Sequence, residues 1–174
     1  MKAVRVLKLR VIKMISVAFV CLGNICRSPM AELIFKKLVG EQNLTSSFNI
    51  TSFGTSDCEE GNPIYPPAKR TLVKHGVEGT HIAKQISKKD ILNNDYILVM
   101  DTHNLFDTLS ISGDSCSEKI FKLRAFTGDN SDIADPWYTL NFEKAYAEIE
   151  EGCKGFLKYL LKTNKEAFDY DKRH

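Results

Sequence analysis

Apolar and polar positions alternate between two rhythms along the chain. Ile15 to Val20 is a short apolar run, Phe48 to Phe53 alternates with period two, and Tyr96 to Met100 is continuously apolar. Ile120-Phe121-Lys122-Leu123 reads as a shorter fourth strand. A continuous apolar run bounded by turn residues suits a strand buried on both faces. Between these runs the spacing becomes helical. Met30, Leu33, Ile34 and Leu38 stripe a helix from Pro29 to about Val39, and Gly40 ends it. The Pro-rich turn Asn62 to Pro67 leads into a helix from Pro67 to His75, and Ser87 caps a short helix reaching Leu92. A helix from Thr102 to Leu109 follows the third strand. A long helix from Phe142 to Lys162 carries Phe142, Ala145, Tyr146, Ile149, Cys153, Phe156, Leu157 and Leu160 on one face, a core stripe.

Strands alternating with helices predict right-handed βαβ units and an α/β fold with helices on both faces of a parallel sheet. In such sheets a site forms outside the carboxyl ends of the strands. The length of 174 residues suits one domain with a substantial core. The expected organisation is a domain over 14–162, an N-terminal segment over 1–13 and a polar, frayed tail over 163–174.

Residues 1–13 mix apolar and basic positions too closely for a signal-peptide core or a membrane span. They read as a basic surface-binding segment, an added strand, or sequence ahead of a true start at Met14. The net charge of +2 implies neither a nucleic-acid nor a membrane partner. Five cysteines without framework spacing suit a reducing compartment, the cytoplasm. The four histidines show no ligand spacing, so no metal and no cofactor is expected.

The densest chemistry follows the first strand. Residues 20–29 read Val-Cys-Leu-Gly-Asn-Ile-Cys-Arg-Ser-Pro. Cys21 and Arg27 bracket Leu22, Gly23, Asn24, Ile25 and Cys26, a loop able to curl around a phosphate with backbone N–H groups pointing inward. Gly23 and Asn24 are best suited to the positive φ such a curl needs. Ser28 is placed to cap the helix that Pro29 opens. Nucleophilic thiolate is favoured by a helix N-terminus, a nearby cation and a hydroxyl, here Arg27 and Ser28. The Arg27 fork can also hold two phosphate oxygens, which Lys cannot imitate.

Far along the chain, Asp135-Pro136-Trp137-Tyr138 places a carboxyl on a stiffened loop ahead of two aromatic side chains. A phenolate leaves poorly unless protonated, and Asp135 can deliver that proton. Trp137 and Tyr138 can wall a slot for a flat group.

These two motifs resemble the low-molecular-weight protein tyrosine phosphatases. Weaker likeness runs through Ser52 to Asp57, Lys74 to Gly76, His81 to Gln85 and Asp95 to Asp101, over about residues 14 to 162. The resemblance implies a four-stranded parallel sheet of order 2-1-3-4. It implies hydrolysis of phosphotyrosine in proteins through a cysteinyl-phosphate, with Cys21 as nucleophile, Arg27 as phosphate clamp and Asp135 as acid and then base. It implies Ser52 and His75 as partners of Asn24, Ser28 as stabiliser of the thiolate, and a monomer with at most weak self-association. Cys26 is shared with the pattern, and in relatives it can form a reversible disulfide with the nucleophile. Two departures stand out: Cys58 replaces a common aromatic in the cleft wall, and Trp137 replaces a common Tyr.

Two other readings remain at this level. Relatives that dephosphorylate arginine tend to carry Thr where this chain has Ile25, whose apolar branch suits an aryl ring. A phosphate-binding or redox-sensing module without turnover would be expected to lack the nucleophile, the Arg or the acid, and all three are present.

Overall fold

The computed structural model describes residues 13–113, 115–165 and 168. Four strands, β1 (Ile15–Cys21), β2 (Phe48–Gly54), β3 (Tyr96–Val99) and β4 (Ile120–Lys122), form one parallel sheet in the order β2-β1-β3-β4. This is the topology that the resemblance implied. Residues 1–12, and with them most of the basic N-terminal segment, lie outside the described residues; Lys13 is described, and it pairs with Asp95 at 3.0 Å.

The period of two in β1 divides the protein into two cores. Val17, Phe19 and Cys21 face one side, where α1 (Arg27–Glu41), α2 (Pro66–Lys74) and α6 (Phe142–Thr163) cover the sheet. Ala18 and Val20 face the other, under α3 (Lys88–Asn93) and α4 (Thr102–Ser112). The long stripe of α6 is the larger contributor, with Phe156 against Phe35 of α1 at 5.4 Å between ring centroids.

Several boundaries differ from the sequence expectation, each for a local reason. Helix α1 begins at Arg27, two residues before Pro29, and Gly40 lies inside it because the turn at Gln42 and Asn43 (φ 57°) ends it instead. The expected side-chain cap by Ser28 is absent: Ser28 is already helical and its hydroxyl serves the loop. Helix α4 runs on to Ser112, closed by Gly113 in the left-handed region. A four-residue helix, α5 (Pro136–Thr139), follows Asp135, whose side chain accepts from the Trp137 N–H. The C-terminal region expected to fray contains Phe168, which is buried and stacked on Phe48 at 5.6 Å.

Candidate active site

The site forms at the carboxyl ends of β1 and β2, where Cys21 pairs in register with Gly54. Two backbone bonds, Thr55 N–H to Cys21 C=O at 2.9 Å and Ser56 N–H to Leu22 C=O at 3.0 Å, tie the start of the loop to the chain leaving β2. Asn24 holds φ at 58°, whereas Gly23 does not enter the left-handed region. Of the two residues suited to the curl, Asn24 makes it, because its side chain is locked from both ends.

The locking network is buried. Asn24 Nδ2 donates to Ser28 Oγ at 2.8 Å and to Ser52 Oγ at 3.0 Å. Its Oδ1 accepts from the Lys84 backbone N–H at 2.9 Å and lies 2.7 Å from His81 Nε2. The other ring nitrogen of His81 is 3.1 Å from Glu32 Oε2, which also accepts from Ser52 Oγ at 2.5 Å. Both ring nitrogens of His81 therefore face oxygen atoms of the network. Burial would raise the Glu32 pKa, but hydrogen bonds from His81, Lys36 and Ser52 outweigh it and hold the carboxylate below its usual range.

Sequence reasoning assigned His75 to this place. The structure corrects that: His75 ends α2, its ring stacks on Tyr146 at 3.9 Å, and its Nε2 lies 2.8 Å from Glu143 on α6. Ser52 does stand beside Asn24. His81 and Glu32 were missed. His81 lies in a loop with no periodicity to mark it, and nothing in the helical stripe of α1 singles out Glu32.

Cys21 Sγ sits 3.0 Å from Ser28 Oγ and 3.3 Å from the Asn24 N–H. The Ser28 hydroxyl also lies 3.2 Å from the Phe53 carbonyl. Its single proton serves the sulfur when that is a thiolate, while Asn24 Nδ2 continues to donate to the same oxygen. Cys26 differs in kind. Burial, then the charges of Cys21 and Asp135, push its thiol up to about 12, so it stays neutral in ordinary buffers. Both thiols are free.

Arg27 is 2% exposed. Its Nη1 donates to Asp101 Oδ2 at 2.6 Å and to the Ile133 carbonyl at 2.9 Å, and its Nη2 donates to Asp135 Oδ2 at 3.1 Å. Burial opposes the charge, but Cys21, Asp135 and Asp101 together raise its pKa further. Asp101, at the N-cap of α4, is a third residue that sequence reasoning left without a role; an Asp directly ahead of a helical pattern is the signal that could have found it.

A cleft opens above the loop. Leu22, Ile25, Cys58, Trp137 and Tyr138 line it together with Cys21, Cys26, Arg27 and Asp135. Trp137 is half-exposed and backed by Tyr65 at 4.9 Å, so it forms the fixed wall, whereas Tyr138 is 76% exposed and forms the outer edge. Opposite them, Cys58 gives a low wall, and beside it Glu59 enters the lining, held by Asn62 Nδ2 at 2.7 Å. Among the described residues no group of three or more His, Cys, Asp or Glu is gathered to hold a metal ion, and no helix is long and apolar enough to cross a membrane.

A thiol under oriented donors, an arginine fork and a carboxyl at the rim can carry out nucleophilic displacement at phosphorus. Comparison with known proteins agrees. A family profile described as low molecular weight phosphotyrosine protein phosphatase matches residues 16–166. The human low molecular weight phosphotyrosine protein phosphatase is 40% identical over 148 residues, covering 82% of this chain and 94% of the relative. The crystal structure of YfkJ from Bacillus subtilis superposes with a TM-score of 0.84 at 37% identity, covering 87% of this chain and 97% of that one. That of DARP, a Drosophila arginine phosphatase, gives 0.77 at 34% identity over 82% and 96% of the two chains.

Proposed function

Because the chain belongs to the low molecular weight phosphotyrosine protein phosphatase family, we propose that it hydrolyses phosphotyrosine in proteins through a cysteinyl-phosphate on Cys21. The observation that carries this reading is the convergence on one loop of Cys21 Sγ with its Ser28 and Asn24 donors, the Arg27 fork, and Asp135 within 3.1 Å of that fork.

The Cys21 thiolate attacks phosphorus as the tyrosyl oxygen departs. Arg27 and the loop N–H groups meet the charge on the equatorial oxygens, where a preformed donor set gains most in the transition state. Asp135, protonated, gives its proton to the leaving phenolate. As carboxylate it then takes a proton from the water that attacks the phosphoenzyme, which frees phosphate and restores Cys21. Asp101 keeps the guanidinium aimed by occupying the Nη1 side of the fork. Ile25 and the Trp137 wall offer an aryl ring apolar surface, which supports phosphotyrosine over phosphoarginine. The five free thiols suit a reducing compartment, and on that account we place the enzyme in the cytoplasm.

The deciding experiment compares kcat/KM on matched phosphotyrosine, phosphoserine and phosphoarginine peptides with EDTA present. Turnover of phosphotyrosine alone is expected. Cys21→Ser abolishes it, and Asp135→Ala lowers kcat by about 10²–10⁴-fold with little change in binding. Preference for phosphoarginine would keep the Cys21–Arg27 chemistry and overturn the reading of the cleft. Full activity in Cys21→Ser would overturn the mechanism.

A further inference from the structure

Asp135 rides on a stretch, residues 129–135, that forms neither helix nor strand. A general acid must come within hydrogen-bond reach of the oxygen it protonates, and a misplacement of about 1 Å can cost about 10²-fold. Something outside regular secondary structure has to set this loop. At Ile133 the backbone is held by its N–H to the Met100 carbonyl at 2.9 Å and by its own carbonyl under Arg27. One residue earlier stands a side-chain tie that the phosphatase chemistry does not use.

Asp132 Oδ1 accepts three donors: the Thr102 N–H at 3.0 Å, Thr102 Oγ1 at 2.8 Å and Lys122 Nζ at 2.9 Å. Lys122 also donates to Thr102 Oγ1 at 3.2 Å, so the three residues close a ring. Lys122 ends β4 and is 12% exposed at its side chain, although Asp132 itself is about half-exposed. Thr102 directly follows Asp101, the residue that aims the Arg27 fork. One carboxylate oxygen thus joins the acid loop to the carboxyl ends of β3 and β4 at the point where the phosphate clamp is aligned. Desolvation would raise the Asp132 pKa, but Lys122 and Thr102 outweigh it and keep the group ionised.

We propose that Asp132 is a positioning residue for the general acid, and that its ring with Lys122 and Thr102 sets the distance between Asp135 and the Arg27-bound phosphoryl group. The proposal rests on Asp135 being the acid. Removing the tie lets residues 129–135 sample positions in which the Asp135 carboxyl is out of reach. The Cys21 nucleophile and its Ser28 and Asn24 donors, held by other elements, are untouched.

The test is kcat/KM for two aryl phosphates that differ in their need for a proton. Phenolate leaves poorly without one; 2,4-dinitrophenolate leaves unaided. Asp132→Ala and Lys122→Met should each lower kcat/KM for phenyl phosphate about tenfold and for 2,4-dinitrophenyl phosphate less than about twofold. Lys122→Arg should retain most of the phenyl phosphate activity, and competitive inhibition by inorganic phosphate should be unchanged. Asp132→Asn, which keeps the side-chain volume, guards against a folding defect and should show the same discrimination to a smaller degree. Equal losses on both substrates, or none, overturn the positioning role. Asp135→Ala run alongside separates the two claims. If it discriminates between the substrates and Asp132→Ala does not, only the positioning role fails; if it does not discriminate, the acid assignment fails and takes this proposal with it.

Discussion

Glu32 carries a buried charge beneath the phosphate loop, where it accepts from Ser52, His81 and Lys36. Removing one partner from such a network leaves the others unsatisfied, at a cost of about 1–3 kcal/mol. Its folded pKa lies below the ordinary value of 4.5, so the stability it adds is present above about pH 4.5 and is lost as pH falls through the lowered value. Glu32→Gln should therefore be clearly less stable than the parent in urea titrations near pH 6, with the gap narrowing below pH 4.5; a gap that stays constant into acid would show that charge is not what Glu32 contributes. The same network marks the limit of sequence reasoning at this scale. Cys21, Arg27 and Asp135 were legible because each sits in a local pattern whose chemistry is written in its neighbours. His81, Glu32 and Asp101 were not, because the contacts that bring each of them to the phosphate loop, with Asn24, Ser52 and Arg27, span long separations that the fold closes. His75 took the place of His81 for the same reason: two nearby histidines look alike in sequence until the α2–α6 contact turns His75 toward Tyr146 and Glu143 and leaves His81 to the loop network.

At the scale of elements, the long apolar stripes gave α1 and α6 nearly whole, and apolar runs and period-two alternation together gave the four strands. What escaped was too short to carry a period: α5, with four residues, and the 3-10 segments, of which Leu123–Thr127 is the longest. That segment explains two glycines in α6 that helix propensity alone counts as costs of about 1 kcal/mol each relative to Ala. A Cβ at Gly152 would meet Leu123 Cγ at 2.6 Å, and one at Gly155 would meet the Phe126 carbonyl oxygen at 2.5 Å. The first neighbour is a side chain that can turn; the second is backbone held within its own helical turn. Gly155→Ala should be the more destabilising, by about 1–3 kcal/mol after the propensity gain, because overpacking against fixed backbone outweighs it. Gly152→Ala should fall much closer to neutral. Thermal unfolding of the two variants checks the order, and the reverse order would mean that the Phe126 segment yields more easily than Leu123.

For the whole molecule, the parallel sheet separates chemistry from anchorage. Cys21 and Gly54 pair at one end of β1 and β2, and Ile15 and Phe48 pair at the other, six residues or roughly 20 Å away. At that far end Phe168 stacks on Phe48, which in turn meets Phe35 edge-on at 5.6 Å. The aromatic cluster thus extends beyond residue 162, where the sequence expectation closed the domain, because an isolated Phe in a short polar stretch carries no periodic signal. Phe168→Ala removes a large buried side chain from the base of the sheet and should cost about 3 kcal/mol, or roughly 6–12 °C in Tm for a chain of this size. Its distance from the phosphate loop predicts that kcat/KM at 25 °C stays within about twofold of the parent. Melting and turnover measured on one preparation decide the matter: a lost Tm with retained kcat/KM places Phe168 among the anchors of the fold, whereas a parallel fall in both would mean that the two ends of the sheet are coupled.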